Sequence, residues 1–454
     1  MSEQRECDVI VVGLGPGGED VATRLAKAGR QVLAVERRLV GGECPYYGCI
    51  PSKMMVRAAD ALAEARRVDG LAGSASVTPD WGPVHARIRD EATTGWDDAI
   101  AVRRLEKAGA QFLRGEARLA GPRAVEVDGT TFTARDGVVL NTGTEPAAPP
   151  VPGLAGTPYW TNREAVQADT VPASLAVLGG GAIGMELAQA FSRFGSTVTV
   201  VEVADRVLAP EEPEASAVVA DVLTREGIRL VTGAHVASVA YEAGRFTLDL
   251  GEEQVAADRL LVAAGRRPNL ADLGLDSVGL DPRARSLETD ARMRVPVEGG
   301  GLWAVGDITG KGAFTHVSMY QAGIAARDLL GEDGPEASYH AVPRVTFTDP
   351  EVGSVGMTER QALDAGLSVA TGLTDLASST RGWIHGASGL VKLVADADRG
   401  VLVGATVVGP AGGEVLSMLA LAVHAAVPVA TLRSMVYAYP TFHRAVEAAL
   451  ADLG

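Results

Sequence analysis

The sequence predicts an α/β protein built on two doubly wound dinucleotide-binding domains, and three observations carry that prediction. A β-branched strand followed by a glycine-rich turn, a helix and a second strand closed by an acid is written twice along the chain. The 454 residues exceed what one hydrophobic core usually supports, so several domains are expected. Apolar residues at 47% and charged residues at 22% are ordinary for a globular chain, which removes disorder as a reading.

In the first copy, Asp8-Val9-Ile10-Val11-Val12 reads as a strand and Gly13-Leu14-Gly15-Pro16-Gly17-Gly18 as the turn. A helix then runs to Ala28 and a second strand ends at Glu36. The second copy has the strand Leu175 to Leu178, the turn Gly179-Gly180-Gly181-Ala182-Ile183-Gly184, a helix to Phe194 and the strand Thr197 to Val201, closed by Glu202. Gly13 to Glu36 and Gly179 to Glu202 are the same 23 positions apart. In such a unit the first glycine permits the tight turn, the second lets a pyrophosphate approach the backbone, and the third lets helix pack on strand. The helix N-terminus faces the phosphates and the acid accepts bonds from a ribose. One glycine fingerprint is a weak signal, matched by many ligand-free turns; two in strand-turn-helix context predict two dinucleotides.

Directly after the first unit comes Gly42-Glu43-Cys44-Pro45-Tyr46-Tyr47-Gly48-Cys49-Ile50-Pro51-Ser52-Lys53, which holds two of only three cysteines. Their placement predicts a redox-active disulfide beside a bound dinucleotide, with a thiolate stabilised and lowered in pKa at a helix start. A metal site is the weaker reading, because zinc wants more thiol or imidazole ligands and the nearest histidine in sequence is His85. No metal ligand set is assigned.

The net charge of -16, with no long basic run, disfavours a nucleic-acid partner. Met1 to Glu6 is polar and lacks the pattern of a secretory signal, and the apolar run Val415 to Ala430 is short for a membrane span, so it reads as a buried helix. Few cysteines and no targeting segment predict a reducing, cytoplasmic location.

The order of first fingerprint, CxxxxC-Ile-Pro-Ser-Lys, second fingerprint, Gly265-Arg266-Arg267-Pro268-Asn269 and Ala304-Val305-Gly306-Asp307 resembles the flavoprotein pyridine nucleotide-disulfide oxidoreductases. It is similar to the branch containing dihydrolipoamide dehydrogenase, glutathione reductase and mercuric reductase. The likeness extends through Pro343 to Gly356, similar to the opening of that family's dimerisation domain, and covers essentially the whole chain. It implies an FAD-binding domain at 1–148 and 271–338, an NAD(P)-binding domain at 149–270, and an α+β C-terminal dimerisation domain at 339–454.

The resemblance also assigns roles. Gly13, Gly15, Gly18 and Glu36 would hold the adenosine half of FAD, Thr142-Gly143 would close over it, and Asp307 would bond the ribityl chain. Pro16, Gly17, Arg37, Gly42 and Ala117 are further FAD positions, with Thr315 and His316 in a stretch passing under the flavin. Gly179, Gly181, Ile183, Gly184, Glu202 and Gly265 would hold the nicotinamide cofactor. Cys49 would be the charge-transfer thiolate against the flavin and Cys44 the outer thiol that attacks substrate. Lys53 and Glu186 match the ion pair near the flavin N5 edge, where a cation favours reduced, anionic flavin, although Lys53 alone would read as a surface lysine. Glu202 predicts NADH over NADPH, since a carboxylate accepts the free 2′-hydroxyl and repels a 2′-phosphate; Arg206 is the one nearby cation.

Departures from the pattern concentrate around the substrate. Where relatives carry His-Pro-Thr-x-x-Glu, this chain has Tyr439-Pro440-Thr441-Phe442-His443-Arg444, so a tyrosine replaces the histidine acid-base and Arg444 the glutamate. A phenol of pKa about 10 donates a proton to a leaving thiolate but is a poor base at neutral pH. His443 and Glu447, four apart on a helix, form either a shifted dyad or an ordinary exposed pair. Mercuric reductases also place a tyrosine here but add a C-terminal cysteine pair, which is not found before Gly454. Pro45, Tyr46 and Tyr47 replace the usual small and polar residues between the cysteines and would reshape access to them, and Trp81 and Trp96 flank a stretch that could line the substrate mouth.

The expected function is therefore transfer of electrons between a nicotinamide, FAD, the Cys44-Cys49 disulfide and a small disulfide or dithiol, in a homodimer whose subunits share the active site. Two alternatives stay open. One is reduction of quinones, dyes or metal ions, or dithiol oxidation; the other is a redox-sensing flavoprotein.

Overall fold

The computed structural model describes residues 5–453; the expectations for Met1–Gln4 and for the chain end at Gly454 fall outside them. The chain divides into two compact units, one holding the residues up to Pro51 with Ala86–Ala147 and Gly265–Ser338, the other Ser52–His85, Ala148–Ala264 and the residues from Tyr339.

The first unit is organised by a parallel sheet in the order Gln111–Arg114, Val32–Glu36, Arg5–Val12, Thr130–Leu140, with Leu302–Ala304 pairing parallel to the last of these. Val9, Ile10 and Val11 have no exposure at all, as an unbroken apolar run buried on both faces requires. The chain moves outward from Arg5–Val12 on one side and then crosses to Thr130–Leu140 on the other. That reversal puts the turn after Val12 at the topological switch point, at the carboxyl ends of the strands, where doubly wound sheets bind ligands. The predicted strand, Asp8 to Val12, is the C-terminal part of a longer element that starts at Arg5. The predicted helix is Pro16–Lys27, with Ala28 as its C-cap.

The second unit repeats the device with the parallel order Arg229–Val231, Thr197–Val201, Ser174–Leu178, Arg259–Val262, and its switch point lies after Leu178. The same unit holds a five-stranded antiparallel sheet in the order Pro343–Thr346, Glu351–Gly356, Val401–Gly409, Leu390–Asp396, Val369–Asp375. Helices Gly412–His424 and His443–Asp452 cover it and share a core that includes Val391, Leu393, Leu419, Val446 and Leu450. The run Val415 to Ala430 is not one buried helix: its helix stops at His424, the chain turns at Ala426 with φ 47°, and Pro428 precedes a new helix at Val429–Arg433. Leu421 on its outer face is 64% exposed, so the element is amphipathic.

No helix among the described residues is long and apolar enough to cross a membrane.

Candidate active site

The two glycine turns are built on the same plan. Gly13 has φ 85° and a Cβ there would run into Asn141 O; Gly179 has φ 114° and a Cβ would lie 2.5 Å from Ala263 O. A Cβ on Gly18 would collide with Gly13 O, and one on Gly184 with Gly179 O, so both third glycines are demanded by the helix resting on the turn. Glu36 accepts the N–H of Leu14 at 2.7 Å and of Arg38 at 2.7 Å. Glu202 accepts those of Gly180 and, at 2.7 Å, Ala204. Each acid thus fastens its strand end to the glycine turn.

The residues fit two dinucleotides. Helices Pro16–Lys27 and Ala182–Arg193 begin on Gly15 and Gly181, N-cap residues that supply no side chain, although Asn141 takes the Gly18 N–H of the first, whereas Asn162–Gln167 and Glu359–Asp364 carry complete Thr-x-x-Glu or Thr-x-x-Gln capping boxes. First-turn N–H groups left without a cap form an anion site at the positive end of a helix. At Gly181 a Cβ would meet nothing within 4 Å, so the protein's own packing does not require glycine there and leaves room for a ligand to approach the backbone.

Several supports of the first turn were invisible in the sequence. Asn141, buried, accepts the Gly18 N–H at 2.9 Å and donates to Val305 O at 2.9 Å and Ser318 Oγ at 3.2 Å. Gln321, fully buried, accepts the Gly306 N–H at 2.6 Å. Only the position of Asn141 ahead of Thr142-Gly143 could have pointed to it. Thr142 and Gly143 are braced by Asn269, which bonds both, and strand Arg266–Pro268 pairs antiparallel with Thr144–Pro146. A chain of polar contacts then runs Glu43–Arg266 (3.5 Å), Arg266–Thr144 (2.7 Å), Thr144–Asp307 (2.6 Å), joining the residue before Cys44 to Asp307. Gly42, φ 67°, packs against Gly15, Arg37 pairs with Glu116 at 3.1 Å, and Ala117 opens the strand Ala117–Gly121. Pro16 starts its helix, and a Cβ on the buried Gly17 would strike Ser318 Oγ. Gly265 lies in the first unit, its carbonyl accepting Ala147 N–H at 3.0 Å, while Ile183 is exposed at the start of the second turn's helix.

Cys44 lies in the short helix Glu43–Tyr47 and Cys49 opens Cys49–Arg66. Both are thiols, hydrogen-bonded to each other. The Cys49 bond, followed by burial, pushes the Cys44 thiol well above its ordinary value. Thr315, the first residue of helix Thr315–Leu330, has its hydroxyl 3.4 Å from Cys49 Sγ and also bonded to Cys44. His316 stacks on Phe314 with ring centroids 5.2 Å apart.

In the second unit Lys53 Nζ lies 2.6 Å from Glu186 Oε2 and 4.6 Å from the centroid of Phe347, and Glu186 Oε1 accepts the Phe347 N–H at 2.9 Å. Tyr439 is 66% exposed, donates to Thr380 Oγ1 at 3.3 Å and lies under Arg444. Glu447 pairs with Arg444 at 3.0 Å, and no hydrogen bond or ion pair joins it to His443 among the described residues. Trp81 is a core residue, stacked on Phe191 and edge-on to Phe194, with its indole N–H on Ala168 O at 2.8 Å. Trp96 belongs to the first unit, where its indole N–H reaches Tyr46 O at 3.1 Å.

The family model described as pyridine nucleotide-disulphide oxidoreductase matches residues 7–322, and that of the same family's dimerisation domain matches residues 342–450. The chain belongs to the pyridine nucleotide-disulphide oxidoreductases. It is 34% identical to a dihydrolipoyl dehydrogenase of Thermus scotoductus over 96% of this chain and 94% of that protein. It is 32% identical to a mercuric reductase of Staphylococcus aureus over 92% and 77%. Among solved structures, the HOCl-induced flavoprotein disulfide reductase RclA of Escherichia coli superposes with TM-score 0.84 at 26% identity, and LpdA of Mycobacterium tuberculosis with 0.86 at 27%; each comparison covers 98% of this chain and 99% of that one. The protein is thus an FAD-dependent oxidoreductase that uses a pyridine nucleotide, with two nucleotide domains and a C-terminal dimerisation domain.

Proposed function

We propose that this enzyme is an NADH-dependent reductase of a small disulfide, equally able to run backwards as a dithiol oxidase, acting through Cys44 and Cys49. The observation that carries the reading is the Cys44–Cys49 pair, hydrogen-bonded to each other, with the Thr315 hydroxyl 3.4 Å from Cys49 Sγ and bonded to Cys44. Bound FAD supplies two-electron transfer between nicotinamide and disulfide. Residues 1–148 and 271–338 form the FAD domain, 149–270 the NAD domain and 339–454 the face of a cytoplasmic homodimer.

FAD is held by Gly13, Gly15, Gly18 and Glu36 with Thr142, Gly143 and Asp307, and the nicotinamide cofactor by Gly179, Gly181, Gly184 and Glu202. Preference for NADH rests on Glu202 and on Arg206, whose guanidinium donates to Ala209 O at 2.7 Å and Glu211 O at 3.3 Å and is thereby turned to the backbone. Lys53, anchored by Glu186, is the cation that favours reduced flavin.

On the substrate side, Cys44 gives up its proton to the acid-base group of the partner subunit and attacks one sulfur of the disulfide, and the other sulfur leaves as thiolate. Cys49 then attacks the mixed disulfide at Cys44, closing Cys44–Cys49 and releasing the second thiol. The leaving thiolates take protons from Tyr439 or His443 of the partner subunit, Tyr439 being the exposed phenol at the position of the family histidine.

The tyrosine also favours a second reading, direct reduction of a metal ion or quinone, for which no strong base is needed; one relative is a mercuric reductase and RclA has been solved as a Cu(II) complex. Anaerobic titration with NADH decides between them. A long-wavelength thiolate-flavin band at two-electron reduction, lost in Cys49→Ser, is the expected result, followed by turnover on a disulfide panel. Full flavin bleaching by one equivalent of NADH, with unchanged quinone turnover in Cys44→Ser, would refute it.

A further inference from the structure

The loop between the two cysteines is held from outside by a strained turn. After the π-helical segment Arg87–Ala92, three successive residues are left-handed: Thr94 (φ 53°), Gly95 (71°) and Trp96 (59°). Glycine adopts this conformation freely, but a threonine and above all a bulky tryptophan do so at a cost. The turn is fixed by buried Thr93, whose hydroxyl donates to Ile88 O at 3.0 Å and accepts the Trp96 N–H at 3.3 Å. Its product is the direction of one side chain, since the indole N–H of Trp96 is aimed at the carbonyl of Tyr46, inside the Cys44–Cys49 loop. Two further bonds complete a clamp. Buried Tyr46 donates its hydroxyl to Val40 O at 3.1 Å, and Asp98, held by Arg114 at 2.5 Å, accepts the Val40 N–H at 2.7 Å.

We propose that Trp96 is a positioning residue that sets the redox equilibrium of the Cys44–Cys49 couple, with Tyr46 as its counterpart inside the loop. The proposal rests on the reading of that pair as a redox couple. It accounts for an aromatic between the cysteines: Tyr46 is buried and anchors the loop. Closing a disulfide from two thiols releases two electrons and two protons to an oxidant, and its equilibrium constant follows the effective concentration of one sulfur at the other. A loop held at Tyr46 keeps that concentration high; a released loop favours the dithiol.

The test is to equilibrate the full-length, FAD-loaded protein in glutathione buffers of stepped potential and count Cys44 and Cys49 thiols by alkylation and mass spectrometry. Trp96→Phe, which deletes the N–H and keeps the ring, is expected to move the couple about fivefold toward the dithiol, the worth of one hydrogen bond, or about 20 mV for two electrons. Tyr46→Phe, which cuts the clamp at its other bond, moves it in the same direction. Trp81→Phe is the control, because it loses an indole-to-carbonyl bond of the same kind at Ala168 and leaves the couple where it was. Coincidence of the Trp96→Phe, Tyr46→Phe and wild-type curves, or an equal shift in Trp81→Phe, overturns the proposal alone. A wild-type pair that stays reduced at every potential overturns the redox reading as well.

Discussion

Replacing Lys53 by methionine tests the buried ion pair most directly. The side chain of Glu186 is 6% exposed and has two partners, the Lys53 ammonium at 2.6 Å and the Phe347 N–H at 2.9 Å. Lys53→Met removes the cation and leaves the carboxylate buried with one backbone donor. Breaking a fully buried pair costs about 3–5 kcal/mol. Lys53 is 34% exposed, so water already screens part of the interaction, and about 2 kcal/mol is the expected loss. At roughly 2 °C per kcal/mol for a unit of this size, the melting temperature falls by about 4 °C. Glu186→Gln alone keeps an acceptor for Phe347 N–H and costs about 1 kcal/mol. In the double variant the stranded charge is gone, so the two losses do not add: Lys53→Met/Glu186→Gln should melt above Lys53→Met. Differential scanning calorimetry of the four proteins at matched FAD content measures this. Strict additivity would show that the pair is not coupled and that Glu186 is satisfied by the backbone alone.

Other outcomes follow from single contacts. Gly18→Ala puts a methyl into Gly13 O and should yield protein that does not retain FAD, checked by flavin absorbance after purification. Glu202→Gln removes the charge facing a 2′-phosphate and should raise the NADPH-to-NADH ratio of kcat/KM by about tenfold, near 1.4 kcal/mol; an unchanged ratio argues against Glu202 as the selector. Burial lifts the Asp60 carboxyl to about 6 from its ordinary 3.8, even though it shares Arg193 with Glu226 and Asp349. A raised folded pKa contributes stability that is complete below about 4 and is lost as pH climbs through about 6, so Asp60→Asn should flatten that part of a stability-pH curve.

The features legible in the sequence were those whose physics is local. The first and third glycines of each turn are demanded by collisions within a few residues or with the next strand end, and the acids close their turns from 22 residues away in a fixed strand-turn-helix geometry. The raised Cys44 thiol was not legible in the sequence for the opposite reason. A helix start is visible in sequence, but the burial and the Cys49 bond that raise the thiol exist only once the loop has folded. Val415 to Ala430 shows the same limit: apolar content read as one helix, where the left-handed turn at Ala426 and Pro428 divides it.

By itself the sequence determined two nucleotide turns and a Cys44–Cys49 pair after the first of them. These depend on excluded volume at a glycine, the period of a buried strand and the spacing of an acid, all readable along the chain. Only the tertiary structure decided that Asn141 secures the first turn across 123 positions, that Thr315 meets Cys49 across 266, and that Trp96 holds Tyr46 across 50. Hydrogen bonds of such range leave no periodicity and no motif. Their partners become neighbours only when strands and helices from distant parts of the chain pack together.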